Sequence, residues 1–372
     1  MSKHDKFSTH NFLKEKVFVG QENVGISKEE VNFIQEVLLK SSIEKDGFIV
    51  SEIVNSLQLI DQNIECDSYS FTFNQELFVL KINEDDPDSV LQKEYDNLKL
   101  FKGRQVSPIP SFFEQVEYSD TEVNLLIVTL ESSKSLFDIS EREFFQLLEP
   151  LAMNLSFAHE FTQGSRDNEI DIFLKAFVQD NDFEEIVPDD ILANFKTLIP
   201  SYDKYVELLN LIKSQVQEEI KDLEQSNFSL CHTNLTKSKI LVKQQFFKFI
   251  NFHQSFVLDP FFDLAFLCLS TGLCKSTSVE KTLLENYFKH HALWDLDIEK
   301  AQEKLNKFKK VCFKIALARL SSELVFELST HQNKRPNRIL KLIKRYEYIR
   351  PLVEEEFPEY ADIIDDFFYL FS

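Results

Sequence analysis

The side chains able to do chemistry concentrate in two stretches, LCHTNLTKSKILV (230–242) and FINFHQSFVLDPFFDLAFL (249–267). Between them they carry His232, Asn234, Lys239, Asn251, Asp259 and Asp263. The residue types set limits at once. Asn234 has an uncharged amide that is no useful base near neutral pH, and Lys239 offers three donors and no lone pair to a metal. Asn251 could coordinate a cation only weakly, since Mg²⁺ sites rely on one or two carboxylates. Upstream, Lys81 in FVLKI and Glu94 in QKEYDNL supply a cation and a carboxylate, a pair that taken alone reads as ordinary solvated charge. Cys66, Cys231, Cys268, Cys274 and Cys312 are scattered, odd in number and form no CxxC pair, which argues against a disulfide framework or a zinc site. His290 and His291 are adjacent and point to different faces of a helix, so they make no metal pair.

The elements that must position these residues follow from periodicity. Residues 28–39 place Val31, Ile34 and Val37 or Leu38 at helical spacing, with Ser27 as N-cap and Glu30 three positions on. From 46 to 83 the runs GFIVSEIV, SLQLI, SYSFTF and ELFVLKIN read as strands of an antiparallel sheet. In the last of these, Phe78, Leu80 and Ile82 face one side and Val79 and Lys81 the other. A helix is expected over 86–101 and two strands over 106–131, joined by a polar turn at 119–121. From 140 onward helical patterns dominate, over 141–161, 191–199, 204–225, 279–293 and 301–328. The one β-like interruption is SKILVKQQFFKFINF (238–252), two short strands about a Lys-Gln-Gln turn. Strands first and helices afterwards indicate an α+β layout.

Order, spacing and flanking hydrophobics of the two chemical stretches resemble the aminoglycoside phosphotransferase and choline kinase superfamily. Its pattern runs HGDxxxxNILV, then IDW or IDF, then GDPxxDLA. The resemblance implies a bilobal protein-kinase-like fold with a small antiparallel-sheet N-lobe and a larger, mostly helical C-lobe. The implied division is 1–44 as an extension with an amphipathic helix, 45–131 as the N-lobe, and 132–372 as the C-lobe carrying a catalytic-loop remnant at 230–267. By the same resemblance Lys81 is the strand lysine aimed at nucleotide phosphates, Glu94 its ion-pair partner, and 129–131 the lobe hinge. His232 fixes the catalytic loop, His159 supports it structurally, and Asp259 and Asp263 pin it. The departures fall on the chemistry. The family's base aspartate is replaced by Asn234, and its two metal-ligand positions are Lys239 and Asn251. QLIDQNIECDSYSFTF, where the family closes over phosphates, contains no glycine.

These departures predict a catalytically degenerate phosphotransferase-family protein, a pseudokinase that binds or regulates a protein or small-molecule partner. No cofactor and no metal are expected, with ATP bound through Lys81 and Lys239 in the absence of Mg²⁺ left open. One alternative is an active small-molecule phosphotransferase whose base and metal ligands have moved to Asp259 and Asp263. Another is a nucleic-acid or protein scaffold built on the basic run KRPNRILKLIKRYEYIR (334–350), for which the competing reading is a helix face that meets the acids at 354–356 and 365–366. The net charge of −21 repels polyanions and makes nucleic acid a poor partner. The acidic segment QDNDFEEIVPDD (179–190) reads as a solvated loop. The 37 Phe beside 6 Gly read as compositional bias. No long uncharged apolar run and no signal-like start occur, so the expected compartment is the cytoplasm, with no membrane contact.

Overall fold

The structure, a computed structural model, describes residues 26–62, 66–84, 90–101, 104–130, 133–179, 181, 202–271, 276–291, 297–331 and 336–369. The chain opens on α1 (Lys28–Lys40), which carries the capping box its sequence announces: Ser27 accepts from Glu30 N, and Glu30 returns the bond to Ser27 N. Ile34, Val37 and Leu38 form its buried face. Next comes α2 (Val50–Ser56), where the sequence pattern had suggested a strand. The reason is tertiary. Val50 and Ile53, one helical turn apart, enter the same apolar cluster as Phe48, Phe71 and Phe78, and that burial outweighs the β preference of a Val/Ile-rich run.

The sheet follows: β1 (Gln58–Gln62), β2 (Asp67–Phe73), β3 (Glu76–Glu84), then α3 (Val90–Leu100), β4 (Ile109–Tyr118) and β5 (Thr121–Thr129). Its order is β1-β2-β3-β5-β4, every neighbouring pair antiparallel. Two of its hairpins turn on two residues with positive φ, Asn74 (51°) with Gln75 (66°) and Ser119 (50°) with Asp120 (69°), the twist that suits right-handed strands. The central strand β3 divides the lobe. Phe78, Leu80 and Ile82 face α1 and α2, while Val79 and Lys81 face α3 and the second lobe.

Beyond β5 the chain is mainly helical. In order come β6 (Lys134–Ser135), α4 (Glu141–Gln146), α5 (Leu148–Thr162), α6 (Ile170–Gln179), α7 (Tyr202–Asp222) and β7 (Ser229–Cys231). The hairpin β8 (Ile240–Lys243) and β9 (Phe246–Phe249), β10 (Phe256–Leu258), α8 (Phe261–Thr271), α9 (Thr277–His290), α10 (Ile298–His331), α11 (Pro336–Glu356) and α12 (Ala361–Tyr369) complete it. Three short strands, β6, β7 and β10, escaped the sequence pattern because two or three residues carry no period; β7 pairs β10, and β6 pairs β8. The core runs through α8, whose residues 261–269 are all buried. The helix expected at 191–199 lies outside the described residues.

Candidate active site

The small lobe brings its share of the site on one strand and one helix. Lys81 Nζ donates to Glu94 Oε1 and Oε2 at 2.8 and 2.7 Å, and to Asn251 Oδ1 at 2.9 Å. Lys81 and Glu94 are only 4% and 2% exposed, so this is a buried pair and not the solvated charge that sequence alone suggested. Glu94 Oε1 also accepts from Phe252 N at 3.2 Å, and His253 Nδ1 lies 3.6 Å from Oε2. Burial would raise the carboxyl's pKa, but the Lys81 charge and the His253 contact outweigh it and hold it at about 2.

Segment 251–253 comes from the large lobe and is fixed by the same contacts. Asn251 takes the left-handed conformation (φ 66°, ψ 63°), which asparagine tolerates better than most residues, and it starts a short 3₁₀ turn over 252–254. Asn97 of α3 donates to Phe252 O at 3.0 Å. Phe252 packs between Phe101, just past the end of α3, and the His232 ring, in tilted contacts with centroids 5.0 and 5.3 Å away.

The loop after β7 carries the remaining residues. Thr233 sits at φ 53°, a strained position for a β-branched residue, where the resembled pattern has glycine. Three bonds hold it there: its N–H donates to Asp263 Oδ1 at 2.9 Å, its hydroxyl to Gln254 O at 2.6 Å, and Arg319 donates to its carbonyl. Asp263 Oδ2 accepts from His232 N at 2.8 Å and from His159 Nε2 at 3.1 Å, leaving His159 Nδ1 to accept from Tyr287. His232 Nε2 donates to Ile250 O at 2.7 Å, while its Nδ1 has no hydrogen-bond partner among the described residues. Burial first, and the nearby Lys239 charge second, lower its pKa to about 4, so the ring is neutral at pH 7. Asn234, 4% exposed, donates through Nδ2 to Gln254 Oε1 at 2.9 Å. Lys239 is half-buried, and its carbonyl accepts from Ile250 N at 3.0 Å beside Asn251.

No protein-family model and no curated protein matches the sequence. Solved structures do. The amicoumacin kinase hAmiN, solved with AMP-PNP, Ca²⁺ and Ami, aligns with a TM-score of 0.56 at 13% identity, over 85% of this chain and 95% of that one. A microcompartment-associated aminopropanol kinase aligns with a TM-score of 0.50 at 12% identity, over 90% and 99% of the two chains. The chain has the kinase-like fold of these two structures.

A divalent metal of the kind used by the family the sequence resembles would find no suitable donor set among these residues. Glu94 accepts from Lys81 on both oxygens and from Phe252 N, with His253 Nδ1 3.6 Å away. Asp259 is fully buried and spends Oδ1 on Phe261 N and Oδ2 on Ser226 N and the Lys304 ammonium, at 3.0, 2.8 and 2.7 Å. Burial raises its pKa although Lys304 opposes the shift. Asp263 is spent on two backbone amides and His159. The oxygen of Asn251 already faces an ammonium. A buried His159, Cys231 and Asp263 cluster lies nearby, but His159 and Asp263 are committed as above, and burial keeps the Cys231 thiol protonated by pushing its pKa far up. These residues do not fit Mg²⁺.

Gln254, His253, Asn97, Lys304, Tyr287 and Arg319 hold the site without having been singled out in the sequence. His253 and Gln254 follow directly on FINF, and that adjacency was the available signal; the others act across long separations that no local pattern reveals. On α11, Arg345 pairs with Glu323 at 2.7 Å and Arg350 with Asp365 and Glu354 at 2.7 and 3.0 Å, so those basic side chains are met by acids. Positions 334 and 335, and 180 and 182–190 of the acidic segment, lie outside the described residues. Among the described residues no helix is long and apolar enough to cross a membrane.

Proposed function

We propose that this chain is a catalytically silent protein on the phosphotransferase fold, one that binds or regulates through its cleft or its helical lobe. One observation carries the reading. Each carboxylate around the catalytic loop, Glu94, Asp259 and Asp263, is buried and already accepts three hydrogen bonds from the protein's own donors. A divalent cation or a substrate proton would have to compete with those donors for the same oxygens. Asn234, at the base position of the resembled pattern, is a buried amide tied to Gln254. Loss of a general base alone costs about 10² to 10⁴ in rate, or roughly 3–5 kcal/mol of barrier.

The second reading is an active kinase for a small molecule. It is favoured by the intact Lys81–Glu94 pair and by the fold neighbours, which are kinases. Radiolabelled phosphoryl transfer from Mg·ATP, to water and to a panel of small amino alcohols, separates the two. The silent reading expects no enzyme-dependent transfer from the natural sequence. It expects a gain of about a hundredfold or more on Asn234→Asp with Lys239→Asn and Asn251→Asp. Metal-dependent turnover by the natural sequence would overturn it.

A further inference from the structure

We infer that the small lobe takes an extended, lysine- or arginine-bearing segment of another protein as a sixth strand, paired to the open edge of β4. None of the residues involved takes part in the cleft contacts above, so this surface stands or falls separately from the silent reading.

Backbone register is the first ground. β4 is an outer strand of the sheet, with β5 on one side only. The two-residue turn at Ser119 and Asp120, both at positive φ, makes Tyr118 and Thr121 a hydrogen-bonded pair. Pairing alternates from there, so Val116 and Glu114 also turn their backbone groups to β5. Phe113, Gln115 and Glu117 therefore point their N–H and C=O groups away from the sheet, and these groups have no hydrogen-bond partner among the described residues. Pro110 and the bulge between Pro110 and Phe112 blunt the first part of the strand against pairing. No proline or bulge protects 113–117.

Charge is the second ground, and it names the occupant. Glu117 and Glu122 face each other directly across β4 and β5, both exposed, a like-charged pair that costs stability. Neither of these carboxylates, nor that of Asp120, has a hydrogen bond or ion pair among the described residues. A groove of about 560 Å³ lies beside Gln115, Glu117 and Asp120, within the size range of ligand sites. The cation on its wall, Lys40, sits over the Tyr118 ring at 4.6 Å. A strand added here sets alternate side chains beside Glu117, where a lysine or arginine offsets the repulsion from Glu122. A second copy of the chain would bring the same acids and a net charge of −21 to this edge, which opposes self-pairing.

The test is fluorescence anisotropy on the full chain at low salt, with a labelled decapeptide of alternating lysine and valine as the probe. The peptide should bind, and more weakly as salt rises. The same peptide N-methylated at every residue keeps its charge but can donate to no strand, and it should bind at least about tenfold more weakly. Gln115→Pro removes an outward N–H and leaves the β4–β5 ladder in place, so it should cost about tenfold or more in peptide affinity with little change in thermal midpoint. Glu117→Lys should lose about tenfold as well. Failure of the lysine peptide to bind overturns the inference. Equal binding of the N-methylated peptide, which needs no variant to fold, overturns it too, since it shows charge attraction without strand pairing. Full affinity in a folded Gln115→Pro does the same.

Discussion

Replacing Glu94 by Gln keeps the side chain's shape and removes the carboxylate charge that faces the buried Lys81 ammonium. The magnitude follows from two independent routes. A carboxyl held at about 2 in place of the usual 4.5 contributes about 3 kcal/mol of folding stability at neutral pH. Removing one partner of a buried ion pair costs roughly 3–5 kcal/mol. The sign with pH is fixed. Because folding lowers this pKa, the contribution is complete above 4.5 and disappears as pH falls through 2. Urea unfolding of the natural sequence and Glu94→Gln should therefore differ by about 3–5 kcal/mol at pH 7, and the gap should close toward pH 2. The double variant Lys81→Met, Glu94→Leu should lose less than Glu94→Gln, since no unpaired charge stays behind. A gap under about 1 kcal/mol at pH 7, the value of an exposed pair, would refute the buried-pair argument, as would a gap that does not change with pH.

His232 should add a second acid-sensitive step. Its folded pKa of about 4 lies below the usual 6.5, so its contribution of about 3 kcal/mol is present above 6.5 and lost as pH falls to 4; His232→Gln should flatten stability over that window. Gln75→Gly should raise stability by about 1 kcal/mol in thermal unfolding, because Gln75 pays for φ 66° in a turn where glycine does not. Leu38→Ala, in a side chain with no exposure, should cost about 2–5 kcal/mol in the same measurement and show that α1 belongs to the core of the small lobe. Lys341→Glu with Arg345→Glu should leave retention on RNA or DNA columns unchanged, since Arg345 is already paired with Glu323; salt-sensitive retention lost on substitution would revive the scaffold reading.

Much of the fold could be read without coordinates. The capping box at Ser27 and Glu30, the alternation along FVLKI and the hairpin after Lys239 are local patterns, and each formed as its period required. GFIVSEIV did not, because a short β-branched run fits either period, and only the cluster around Phe48, Phe71 and Phe78 selected the helix. The same division holds in the site. Residue type alone established that positions 234, 239 and 251 carry two amides and an ammonium, since donor and acceptor capacity belongs to a side chain wherever it lies. Whether Asp259 and Asp263 could stand in for the missing carboxylates was beyond the sequence. The answer came from Ser226, Lys304, His159 and the backbone at 232 and 233, brought onto those oxygens over separations that no local pattern encodes. A carboxylate's chemistry is set by what already occupies its lone pairs, and packing alone decides that occupancy.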